Sequence, residues 1–204
     1  MVDHNGNGGG MKRMHGLVLQ PSAAAQWHTL VEEAQRVCRC DLGEDLESYL
    51  VFLLMRFTGE PQLAARVMAL DYLRALDTHG THRAERLRDV GDQCLLFSGL
   101  FPGRGERRLV SSGYFVGLGR SAYRELAATR TRGLHALFER LAATFVSLMD
   151  VLQATREVNG GAGADLLRVA ELWYETGSRR AFERLSGASG AVPGPPAPVG
   201  GPAH

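Results

Sequence analysis

The chain has 204 residues, 45% of them hydrophobic, enough for one domain of ordinary size to bury a core without disulfide or metal staples. Its 23 basic and 22 acidic residues leave a formal net charge of +1, so no global field draws it onto nucleic acid or an anionic membrane, and a nucleic-acid partner is disfavoured. The longest apolar run, Tyr49 to Met55, falls far short of the roughly 20 residues that span a bilayer.

All basic residues but Lys12 are Arg, which fits a GC-rich genome as readily as selection for guanidinium chemistry. Three cysteines, Cys38, Cys40 and Cys94, make an odd set and predict reduced thiols in a cytoplasmic protein rather than a disulfide framework. Residues 1–15 are polar and Gly-rich, lack the apolar stretch of a secretory leader, and are expected to be disordered.

His15 to Gln20 reads as a short apolar strap. Pro21 and Ser22 then signal the start of a helix over Ala23 to Arg39. In it Trp27, Leu30, Val31, Ala34, Val37 and Cys38 share one face. A second helix begins near Asp41 to Asp45 and runs to Phe57. Its apolar residues lie on nearly every side, which predicts the most buried helix of the fold. Thr58-Gly59-Glu60-Pro61 ends it, and a third helix follows over Gln62 to Thr78. Thr81 is the expected cap of a fourth helix that reaches Leu100.

Pro102-Gly103-Arg104-Gly105 breaks the pattern. Residues 107–118 fit either two short strands or a glycine-interrupted helix. The helical neighbours favour helix from about Ser111. A long helix is expected over Leu134 to Val158, with Leu141, Phe145, Leu148 and Leu152 among its heptad-like apolar steps. A last one is expected from Asp165 to Leu185. From Ser186 onward the Gly-, Pro- and Ala-rich composition predicts a disordered tail. The expected architecture is therefore all-α: a single-domain bundle of six or seven helices over residues 16–185.

Few motifs carry chemistry. Cys38 and Cys40 with His28, His79, His82 or His135 could offer thiolate and imidazole to zinc, yet one intervening residue is too few for the usual structural site and no second pair exists. His79 and His82 flank Gly80 in what reads as a solvated turn. No Glu is followed by His three positions later, which argues against a helical di-iron site. The Ser98-Gly99 and Ser112-Gly113 pairs complete no nucleophile elbow. Gly103-Arg104-Gly105 lacks the Lys and Ser/Thr of a phosphate loop. No catalytic residue, metal or cofactor is expected.

The segment from Gly91 to Tyr123 is where helical regularity breaks. Arg104, Arg107 and Arg108 precede a helix start at Ser111, and guanidinium groups with free N–H donors could hold an anion there. Gly113, Gly117 and Gly119 would let a neighbouring helix, or a flat ligand, approach closely. Tyr114, Arg120 and Tyr123 complete the candidate ligand-binding set. Asp89 and Asp92 are expected to pair with Arg120 and Arg124, fixing the fourth helix to the fifth.

The string from Gly91 to Pro102, GDQCLLFSGLFP, with Val110-Ser111, Gly113-Tyr114-Phe115 and Leu118 to Tyr123, resembles a group of bacterial proteins of unknown function. The resemblance covers about a sixth of the chain. It implies a bacterial origin and no activity, cofactor or site residue. The leading functional expectation is a non-enzymatic helical protein acting through a protein partner or self-association; the alternative is a bundle that binds a small hydrophobic or anionic ligand beside residues 91–123.

Overall fold

The structure, a computed structural model, describes residues 22–59, 68–77, 79–101, 111–129, 132–161, 163–190 and 193–196. All regular structure among them is helical: α1 (Ala23–Cys38), α2 (Glu44–Gly59), α3 (Met68–Leu76), α4 (Gly80–Leu100), α5 (Ser112–Ala128), α6 (Arg132–Ala143), α7 (Phe145–Val158), α8 (Leu166–Thr176) and α9 (Arg179–Ser189). None of these is long and apolar enough to cross a membrane. The expected strap at 15–20 and the start of the third helix lie outside the described residues.

The all-α architecture is as expected, but among the described residues nine helices replace the expected six or seven because two long helices are each broken in two. The first break falls at Thr144, whose hydroxyl donates to the Arg140 carbonyl at 2.7 Å. A side chain that bonds back onto its own turn bends the helix, and α7 starts afresh with Leu148 N–H on the Thr144 carbonyl. The apolar steps run through the break, with Leu141, Phe145 and Leu148 all buried, so the sequence pattern does not betray it. The second break is at Gly177, left-handed at φ +69°, a conformation that glycine adopts without a Cβ penalty. Ser178 then caps α9 by accepting from Ala181 N–H at 3.0 Å.

Capping bears out two expected starts and corrects a third. Ser22 Oγ accepts from Ala25 N–H at 3.3 Å, and Ser111 Oγ from Tyr114 N–H at 3.2 Å; each satisfies a donor the helix leaves unpaired. Thr81, by contrast, lies inside α4, whose cap position is His79. That puts His82 on a helix, exposed, beside Glu85. At the other end α9 runs to Ser189, four residues beyond the expected limit, and Gly194 lies against α8 by accepting from Trp173 Nε1–H at 2.7 Å.

The core is organised around α4, which packs on α3, α5 and α7, while α1 lies across α7 and α2. Every residue from Val90 to Gly99 is buried, so α4 rather than α2 is the enclosed helix. The outer face of α2 leaves Phe52 and Met55 exposed. The enclosure depends on small residues at the crossings. An ideal Cβ on Gly119 would stand 2.5 Å from two ring carbons of Phe145 and 2.8 Å from the Cβ of Cys94. One on Gly99 would stand 2.5 Å from the Cβ of Leu152. Both contacts lie inside van der Waals distance, so these glycines serve helix approach.

Gly117, two positions earlier on α5, has no neighbouring atom within 4 Å of such a Cβ. The pair makes a controlled comparison. Gly119→Ala is expected to destabilise the fold by about 1–3 kcal/mol through overpacking, whereas Gly117→Ala should stabilise it by about 0.5–1 kcal/mol through helix propensity. Urea titrations of both variants monitored by circular dichroism give the two signs directly.

Candidate functional site

A cluster of buried titratable groups lies under the 91–123 segment. Tyr49 of α2 donates its hydroxyl to Asp92 Oδ1 at 2.5 Å, and Tyr123 of α5 donates to the same oxygen at 2.8 Å. On the other oxygen, Arg56 Nη1 stands at 3.4 Å and Arg88 Nε at 3.6 Å. Arg56 also binds Asp89 at 2.7 Å. Burial pushes the Asp92 carboxyl up, against its hydrogen bond from Tyr49 and the charge of Arg88. Burial, and then the Asp92 charge, push both phenols well above their ordinary range, so they remain protonated donors.

Shifted groups of this kind often mark active sites. Here Asp92 is 3% exposed and Tyr123 0%, so the carboxylate is enclosed by its protein partners. The cluster fastens α2, α4 and α5 together. It also corrects the expected pairing: Asp89 and Asp92 meet Arg56 and Arg88 instead of Arg120 and Arg124, because Tyr123 holds the α5 face opposite Asp92.

The sequence-predicted site residues do not converge among the described residues. Tyr123 is core. Arg120 donates its Nε to the Ala142 carbonyl at 3.1 Å, with burial and then Arg124 lowering its pKa. Tyr114 is half-exposed, edge-on to Phe115. Arg104, Arg107 and Arg108 lie outside the described residues.

A second buried carboxylate ties α7 to α9. Asp150 accepts from Ser178 Oγ at 2.6 Å and from Arg180 N–H at 3.4 Å, while its carbonyl receives the Cys38 thiol at 3.4 Å. Arg180 and Arg184 both pair with Glu157 beside it. Interaction with Cys40, and then burial, push the Cys38 thiol up, while interaction with Cys38 draws the Cys40 thiol down against the opposing effect of burial.

A concavity with a largely apolar wall lies elsewhere. Among the described residues, a cavity of about 600 Å³ opens where α1, α2, the end of α4 and the end of α7 diverge. Trp27 and Leu30 line it from α1, Leu54 and Phe57 from α2, and Leu100 and Phe101 from the end of α4. Phe57 and Phe101 meet edge to face with ring centroids 5.7 Å apart. Thr58, Thr155, Arg156 and Asn159 supply the polar part of the wall. Only Leu100 and Phe101 belong to the segment that the sequence singled out. Trp27 and Leu30 sit on a stripe that reads as ordinary core, and Arg156 and Asn159 are two of many polar residues at a helix end; nothing in the one-dimensional pattern sets them apart.

One group of His and carboxylate side chains among the described residues is close enough to share an ion: His28, Glu32 and Glu47. Comparison with protein-family models, with curated proteins and with solved structures returns no match to this chain.

Asp150 generates a pH signature. Burial raises its carboxyl from the ordinary 3.8 to about 6, against the opposing hydrogen bonds from Ser178 and Arg180. Between those values the folded chain holds a proton that the unfolded chain has released, so the contribution to stability is full below pH ~4 and is lost as pH rises through about 6. Asp150→Asn keeps an acceptor for Ser178 and removes the titration. From pH ~4 to pH ~7 the stability of Asp150→Asn relative to wild type should rise by on the order of 2–3 kcal/mol, as read from urea unfolding at the two ends of the range.

Proposed function

We propose that the protein binds a small, predominantly apolar molecule carrying one polar end in the cavity between α1, α2, α4 and α7. The carrying observation is the cavity itself. Its volume of about 600 Å³ falls within the ~300–1,000 Å³ of small-molecule sites, and its wall joins aromatic and aliphatic side chains to a few polar groups, as such sites do. Leu54, Phe57, Leu100 and Phe101 would receive the apolar body. Thr58, Thr155, Arg156 and Asn159 would receive the polar end.

This reading is preferred to a purely contact-making protein because the exposed large apolar residues are spread over many helices. Val37 is on α1, Phe52 and Met55 on α2, Leu73 on α3, Tyr114 on α5, Leu134 on α6, and Leu166, Leu167 and Tyr174 on α8. Apolar residues scattered in this way are ordinary on a protein surface.

Trp27 lines the cavity and Trp173 lies on α8, so a Trp173→Phe background leaves one indole to report occupancy. Titration with medium-chain fatty acids and alcohols is expected to change Trp27 fluorescence saturably. Leu100→Trp, which fills the cavity and is followed by calorimetry because it adds an indole, should weaken binding by about tenfold or more, equivalent to ~1.4 kcal/mol. A flat titration across the panel, with no thermal shift and no co-purifying mass in native mass spectrometry, would reject the reading.

A further inference from the structure

We propose that His28, Glu32 and Glu47 form a mononuclear site for a first-row divalent cation, for which Zn²⁺ is the probe, bound through the imidazole Nδ1 and one oxygen from each carboxylate. The site is separate from the apolar cavity. Its ligand atoms, from two helices, lie within 4.8 Å of one another. His28 and Glu32 stand four positions apart on α1 and therefore share a helix face. Glu47 comes from the first turn of α2, with its Oε1 2.9 Å from His28 Nδ1.

The support beneath Glu47 is the feature that a surface ion pair does not require. Gln35, one turn beyond Glu32 on the same face of α1, is 7% exposed. Its Oε1 accepts from Leu42 N–H at 2.9 Å, which fixes the orientation of the amide. Its Nε2 must then point at Glu47, where it donates to Oε2 at 2.9 Å. One carboxylate oxygen is thus occupied from the protein side and the other is left facing the imidazole, the arrangement by which outer groups orient metal ligands.

The donor set is one nitrogen and two carboxylate oxygens, suited to a borderline cation such as Zn²⁺. Glu32 is exposed, so a side-chain rotation suffices to bring its oxygen to bonding distance. Glu32 and Glu47 also line an open recess of about 350 Å³, which leaves room for water or an exogenous ligand on the cation. Asp41 adds negative charge to that recess, while Arg36 and Arg39 line it as well. Their positive charge sets a limit on affinity.

The test uses the full chain stripped with chelator and titrated with Zn²⁺ by calorimetry, with metal content of the dialysed protein measured by mass spectrometry. Because the chain carries seven histidines, assignment rests on variants. His28→Asn, Glu32→Gln and Glu47→Gln are each expected to weaken the tightest Zn²⁺ event by at least about tenfold, and Gln35→Leu to weaken it by about 10–100-fold without removing a ligand. A zinc-induced thermal shift seen in wild type and His82→Asn, and absent from His28→Asn, supports the site and reports on folded protein in each case. Wild-type zinc affinity retained in His28→Asn and Glu47→Gln, or no saturable zinc binding by the wild type, overturns it. Apolar-ligand titrations of the same variants should be unchanged, so failure of the cation site and failure of the cavity reading are separately visible.

Discussion

The constraint on which the helical arrangement depends is the burial of one carboxylate. Asp92 sits in the middle of α4, and its two oxygens are shared among a phenol from α2, a phenol from α5 and the guanidinium groups of Arg56 and Arg88. A carboxylate taken out of water needs such partners to offset the loss of hydration. Once it has them, the three helices cannot slide independently. The same Tyr123 ring that supplies a hydroxyl lies directly on Gly91, where any Cβ would strike it. Polar satisfaction and close packing are thus two demands met by one side chain, and neither tyrosine can be moved without stranding the charge.

Around that node the rest of the bundle is fastened by a second, smaller one. Asp150 on α7 holds the first turn of α9 through Ser178 and Arg180, and takes the Cys38 thiol of α1 on its carbonyl. The two nodes lie on neighbouring helices, since α7 packs on α4, with Gly99 against Leu152 where the two meet. The apolar cavity opens where this fastening ends, at the last residues of α4 and α7. Helix α1 lines that cavity with Trp27 and Leu30 and presents His28 and Glu32 to α2. A single helix therefore carries parts of two proposed sites of different chemistry, one apolar and one ionic.

Particular residues show how far the one-dimensional pattern reaches. Ser22 and Ser111 are legible as helix caps because a hydroxyl before an amphipathic run has one local use. The same reading fails at Thr81, since α4 begins a turn earlier than its apolar pattern. Thr144 hides its break because the buried apolar steps at Leu141, Phe145 and Leu148 continue across it. Asp92 is legible as a charge that needs a partner, but its partners lie 43 and 31 positions away in Tyr49 and Tyr123, of which the first reads as a core aromatic and the second as part of a ligand-binding set. Glu32 and Glu47 resemble every other surface Glu, and only the packing of α1 on α2 brings them to His28.

What the chain determines by itself is what depends on neighbours within a turn or two: helical periodicity, the caps at Ser22 and Ser111, the end of α4 at Leu100, and a near-neutral charge with no apolar run long enough to span a membrane. Tertiary structure decides what depends on residues far apart in sequence. It chooses which guanidinium groups answer Asp89 and Asp92, where the helices part to leave a cavity, and which carboxylates meet an imidazole. The physical reason is that hydrogen bonding within a helix is local, whereas the cost of burying a charge or leaving a void is set by whatever side chains the packing brings to that point.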